Sequence, residues 1–167
     1  MPFLKKKNLK HADYAMKSVQ DLMPAEELAK ASVKQFTYSS TCIAFNKGNM
    51  QFAIRKLPVP VQLSSVNAIH CEDINNDGHT DIILGGNEFT FKPQLERLDA
   101  NSGTILLNDG KGNFKSIESS ETGLDLRGQL RDIKEIHAGG KEYLLFLQND
   151  EYPVLFRLNK RQKQNTN

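Results

Sequence analysis

Asp73–Asn87, DINNDGHTDIILGGN, sets oxygen-bearing side chains at alternate positions, adds one glycine, and then runs into an unbroken apolar segment. Asp73, Asn75, Asp77 and Asp81 take positions 1, 3, 5 and 9 of a loop, with Gly78 at position 6. That spacing lets a tightly curled backbone aim several oxygens at one point, and a hard cation such as calcium takes roughly six to eight of them. The His79 backbone carbonyl adds one more. Without a cation the three carboxylates would repel one another; with one, the turn is pinned between two strands. The expected ligands are therefore Asp73, Asn75, Asp77, His79 through its backbone carbonyl, and Asp81, with Ca2+ as the cofactor. The competing reading is an Asx-rich turn whose carboxylates only bond the backbone. An EF-hand would need an acidic ligand at position 12 and a helix after it, whereas position 12 is Leu84 and DIILGG is β-type.

The same stretch leads to an internal register. IAFNKGNMQF (Ile43–Phe52) aligns with ILLNDGKGNF (Ile105–Phe114) at an offset of 62, which sets Asn46 on Asn108, Gly48 on Gly110 and Phe52 on Phe114. Carried on without a gap, the offset puts Ile82–Leu84 on Leu144–Phe146 and Asn87 on Asn149. Each unit reads as four strands: TCIAFNK, QFAIRKL, VNAIHCEDI and TDIILGG, then TILLND, NFKSIE, QLRDIKEI and EYLLFLQ. YPVLFRL follows as a further strand with no partner of its own. Four antiparallel strands per stacked repeat is the plan of a propeller blade. The loop positions fall on Glu135, His137, Gly139 and Tyr143 in the second unit, so one calcium site is expected, not two.

Before the strands, Ala12, Ala15, Met16, Val19, Leu22 and Met23 recur at helical spacing, and Pro24 suits the start of a second helix, PAEELAKASVKQ. The expected fold is thus mainly β: about two four-stranded propeller blades preceded by a helical hairpin. Residues 1–36 form the hairpin, 37–100 the first blade-like repeat with the calcium loop and a connector, 101–150 the second repeat without a calcium loop, and 151–167 an extra strand and a basic tail.

The chain has 167 residues, 38% hydrophobic and 25% charged, ordinary values for a globular domain. Its net charge of +2 hides a split. Residues 1–35 hold seven Lys against four acids, the tail from Arg157 holds four basic residues and no acid, and residues 36–156 carry 11 basic against 16 acidic. An acidic body with short basic ends does not offer the clustered basic face that nucleic acid requires. No apolar run is long enough to span a membrane, and MPFLKKKNLKH lacks the apolar region of a secretory signal. Cys42 and Cys71 have no CxxC pairing and read as half-buried strand thiols, with a Cys42–Cys71 bridge as the alternative in an oxidising compartment.

Enzymatic readings are thin. His70, Cys71, Glu72 and Asp73 alternate between strand faces and are not expected to converge. NDGKGN lacks the lysine-serine ending of a phosphate-binding loop. Glu96, Arg97 and Asp99 sit in a long connector, where a salt bridge is the plainer expectation than a ligand surface.

DINNDGHTDIILGGN and ILLNDGKGNF together resemble the FG-GAP or VCBS-type repeats of integrin-like propellers and large secreted bacterial proteins. With the helical hairpin, the connector GGNEFTFKPQLERLDANSG (Gly85–Gly103) and the closing LRDIKEI (Leu130–Ile136), the whole chain is similar to the C-terminal portion of cartilage-acidic-protein-like (ASPIC/UnbV-associated) VCBS proteins of the Bacteroidetes type. The resemblance implies a calcium-binding propeller outside the cytoplasm, extracellular or in the cell envelope, used non-enzymatically for recognition, adhesion or scaffolding with a protein or glycan ligand. Members are long and exported, whereas this chain holds about two blades. It is therefore expected to be the C-terminal piece of a longer propeller, or to complete its sheet by self-association through edge strands. The alternative is a portion of a propeller-borne enzyme or assembly factor whose active residues lie outside this chain.

Overall fold

The structure is a computed structural model and describes residues 4, 10–91, 94 and 96–159. The rest of the expected N-terminal helix, three connector residues and the basic tail lie outside the described residues. The chain divides into two compact units, Met1–Ser39 and Ser40–Asn167.

In the first unit, among the described residues from Lys10 on, three short helices stand where a hairpin of two was expected: α1 (His11–Ala15), α2 (Val19–Leu22) and α3 (Ala25–Lys30). The break after α1 has a local cause. Ser18 and Asp21 form a capping box, in which the Ser18 hydroxyl oxygen accepts the Asp21 N–H while the Asp21 carboxylate accepts the Ser18 N–H at 2.9 Å. A cap of this kind starts a new helix and so ends the previous one. Met23 is extended ahead of Pro24, which caps α3, as a residue preceding proline prefers. None of the three helices fully buries a residue, and of the apolar stripe only Leu22 and Met23 are partly covered.

The second unit is mainly β. Every stretch read from sequence as extended is a strand: β1 (Cys42–Asn46), β2 (Phe52–Lys56), β3 (Val66–Glu72), β4 (Asp81–Gly86), β5 (Thr104–Asn108), β6 (Phe114–Ile117), β7 (Gln129–Ala138), β8 (Lys141–Asn149) and β9 (Val154–Arg157). Among the described residues these make three antiparallel sheets, ordered β1-β2, β3-β4-β5-β6 and β7-β8-β9, and none closes into a barrel.

The sheets are not the four-strand units marked out in the sequence; they are shifted by two strands. Pro58 and Pro60 flank and enter a single 3-10 turn (Val59–Gln62) directly after β2, and proline cannot donate to a ladder, so the chain leaves the first sheet there. Gln62 fastens the exit: its amide donates to the Thr41 and Leu57 carbonyls at 2.8 and 2.9 Å and accepts the Thr41 N–H at 2.8 Å. The long connector after β4, by contrast, folds back through a bridge between Glu88 and Leu98, and β5 pairs with β4 with Ile82 opposite Leu106. The YPVLFRL strand also has a partner, since β9 pairs with β8 with Leu144 opposite Phe156.

The middle sheet is covered on both faces, and strand alternation does the sorting. Ile82, Leu84 and Leu106 join Leu57 and Val61 in one cluster, against which Ile43 of β1 packs. Ile83 and Ala68 point the other way, into a second cluster with Leu130, Ile133, Leu144 and Phe146 of the third sheet. All six residues of β4 are buried, which accounts for its unbroken apolar run. Each fully buried Ile or Leu here contributes on the order of 1.5–3 kcal/mol. The Phe146 and Phe156 rings meet edge to face at 5.4 Å. Arg55 ties the first sheet to the turn after β5, lying 5.3 Å over the Phe45 ring and donating to the Lys111 carbonyl at 2.9 Å.

Where β4 ends, the backbone of the preceding turn comes very close: a Cβ on Gly86 would sit 1.9 Å from the Ser65 carbonyl oxygen. Asn87 follows with φ of 88° and is fully buried. Its side chain accepts from Ser64 Oγ (2.8 Å) and Asn101 N–H (3.0 Å), and donates to the Asn101 and Gly128 carbonyls (2.7 and 3.1 Å). One amide therefore links the entrances to β3, β5 and β7.

Candidate functional site

The acidic loop runs from the end of β3 to the start of β4. Asp73 accepts the Asp77 N–H at 3.1 Å through one oxygen and the Gly78 N–H at 2.9 Å through the other. Asn75 Oδ1 also accepts from Asp77 N–H at 3.1 Å, the Asn75 amide donates to Asp77 at 2.8 Å, and Asp77 accepts the His79 N–H at 2.8 Å. Positions 1, 3 and 5 are thus wound around one short piece of backbone as nested Asx turns. The curl needs left-handed residues, and Asn76 (φ 59°) and Gly78 (φ 92°) supply them. Each Asp73 oxygen accepts one N–H group and has two lone pairs, which leaves acceptor capacity for a cation.

Asp81, the fourth expected side-chain ligand, sits in the neck of the loop and not on its curl. It is fully buried, with one oxygen accepting the Ile74 N–H at 3.0 Å and the other the Asn108 N–H at 2.9 Å. It closes the neck of the loop and fixes it to the end of β5. Asn108 returns the contact by donating to the Thr80 carbonyl at 3.1 Å. The His79 ring lies over the turn after β5, where a Cβ on Gly110 would be 2.4 Å from it.

A second donor set was not legible as a site. Glu135 and His137 on β7 and Glu142 on β8 bring their ligand atoms within 4.8 Å of one another. His137 Nε2 lies 2.8 Å from Glu135 Oε1. The strands explain it: residues two apart on β7 share a face, and the Gly139–Gly140 turn sets His137 opposite Glu142. The cue in the sequence was a register across a tight hairpin, which a scan for consecutive acidic residues does not see.

Other sequence candidates separate. His70 and Glu72 pair at 3.2 Å on one face of β3, so alternation excludes a site from adjacent residues but not from residues two apart. Cys42 and Cys71 are free and exposed, neither half-buried nor bridged. In the connector, Arg97 bonds Asp99 at 2.9 Å and stacks 4.8 Å over Phe89, the salt bridge expected there, with Glu96 exposed beside it at φ 59°. Asp109 is strongly held in the turn after β5: bonds from Asn113 and from the Lys111 N–H lower its pKa to about 2. Among the described residues no helix is long and apolar enough to cross a membrane. No protein-family model, curated protein or solved structure matches the chain.

Proposed function

We propose that this chain is a non-enzymatic, calcium-stabilised recognition or adhesion module, or a scaffold, built from stacked antiparallel sheets in the manner of an FG-GAP or VCBS-type propeller. The observation that carries the reading is the winding of Asp73, Asn75 and Asp77 about one curl, set between two neighbouring strands of a sheet that is covered on both faces. An all-oxygen set of carboxylates, an amide and a carbonyl suits Ca2+, and such a loop would gain rigidity from an ion without having to refold. Two further features support the plan. The sheets stack face on face, and Asn46 and Asn108, 62 residues apart, each accept the N–H of the glycine two residues on, at 2.8 and 3.0 Å.

A partner is part of the reading. Phe52 and Ile54 on the outer face of the first sheet are exposed, as are Ile136 and Leu155 on the third. Further sheets of a longer propeller would cover them, or a second copy of the chain, leaving a rim for a protein or glycan ligand. Placement outside the cytoplasm fits a loop of this kind, because calcium there reaches the millimolar range that weak extracellular sites require.

Calorimetric titration with Ca2+ and thermal melting with and without chelator test the proposal. One equivalent of Ca2+ should bind and raise the melting temperature, and Asp77→Ala should remove both effects. A calcium response that survives intact in Asp77→Ala overturns the ligand assignment.

A further inference from the structure

We infer that Glu135, His137 and Glu142 form a second metal site, of different chemistry from the acidic loop, that takes a borderline transition-metal ion of the Zn2+ class. Three observations meet there. The ligand atoms of all three side chains already lie within 4.8 Å of one another, close enough to share one ion. The donors stand on paired strands, not on a loop: Glu135 and His137 are two apart on β7, and Glu142 faces His137 across the hairpin. Their face is the one that carries Ile133, Leu144 and Phe146 into the core, so packing fixes the strands a few residues from the site.

A further observation comes from the 62-residue register. Glu135 and His137 occupy the places of Asp73 and Asn75, the first two donor positions of the acidic loop. There the second unit keeps a carboxylate and has an imidazole in place of the amide oxygen. It has also lost the long curl, because Gly139–Gly140 closes a tight hairpin in its stead. The substitution changes the kind of ion and keeps its place at the same end of the strand pair.

The donor set decides the class. Imidazole suits Zn2+, Cu2+ and Ni2+, whereas Ca2+ and Mg2+ call for oxygen throughout. Two carboxylates with a neutral imidazole balance a divalent charge, and three protein donors leave the fourth corner of a tetrahedron for water or an outside ligand. His137 Nε2 already stands 2.8 Å from Glu135 Oε1, so the two donors face one point without any movement of β7.

The test uses the full chain, with Zn2+ in calorimetry and Co2+ as a spectroscopic probe, in buffer containing excess Ca2+. The expected result is one equivalent of Zn2+ that Ca2+ does not displace, with Co2+ giving the visible absorption of a four-coordinate site. His137→Ala and Glu142→Gln should each weaken binding at least tenfold. His11→Ala, a control in the other unit, and Asp77→Ala, which probes the calcium reading separately, should leave it unchanged. Both site variants alter side chains at a hairpin end, and if His137→Ala does not fold, Glu142→Gln alone decides the matter. Zn2+ binding that is unchanged in Glu142→Gln, that Ca2+ displaces, or that is lost in His11→Ala overturns the proposal.

Discussion

Asp81 and Asn108 hold the acidic loop to the neighbouring strand: the buried Asp81 carboxylate accepts the Asn108 N–H at 2.9 Å, and the Asn108 amide donates to the Thr80 carbonyl at 3.1 Å. A motif position that invites reading as a metal ligand is thus also a structural tie, each of its oxygens bonded to a backbone N–H. Replacing Asp81 with Ala would strand the N–H groups of Ile74 and Asn108 and cost roughly 2–3 kcal/mol, the range for donors left without partners. Asp81→Asn, which keeps one acceptor oxygen, should cost less. Urea unfolding curves of the three proteins would rank them, and equal midpoints for Asp81→Ala and the parent would remove Asp81 from this role.

Asn87 offers a sharper case, because donors and acceptors on its amide are both used. Asn87→Asp keeps the shape and the acceptor toward Ser64 and Asn101 but turns a carboxylate on the Asn101 and Gly128 carbonyls. The change should destabilise by about 3 kcal/mol or more, since a buried charge would face two acceptors. Thermal melting should place Asn87→Asp at or below Asn87→Ala. An Asp variant as stable as the parent would show that the amide donors carry no weight.

The turn after β5 sets a pH window. Asp109 falls from its ordinary 3.8 to about 2 because Asn113 and the Lys111 N–H bond its charged form. A carboxyl whose folded pKa lies below its unfolded value stabilises fully above the unfolded value, and the contribution is lost as pH falls through the folded one. The turn should therefore hold down to about pH 4 and loosen toward pH 2. NMR shifts of the Lys111 and Asn113 amides, followed from pH 5 to 2, should move with a midpoint near 2, and in Asp109→Asn they should no longer titrate there.

How much of this could be read from the residues depended on the range of the interaction. Alternation and turn residues are local, and they located β1 to β9, including the buried β4 from its run of Ile82, Ile83 and Leu84. Sheet membership is not local. It turned on Pro58 and Pro60 ending the first hairpin and on a Glu88–Leu98 bridge closing a long connector, and neither changes the strand pattern itself. The helical stripe misled because period reports amphipathicity, while the Ser18–Asp21 cap decided where the helices stop. At the candidate sites, the curl formed by Asp73, Asn75 and Asp77 was legible from spacing. Glu142 was not, since it reaches His137 only through the register of a hairpin.

With a layer lying over each of its sides, β4 can release its amide protons to solvent only after one of those layers has lifted away. Hydrogen exchange would then be slowest at Ile82–Leu84 and fastest in the outermost ribbons. A protease or denaturant would meet this unit from its ends inward.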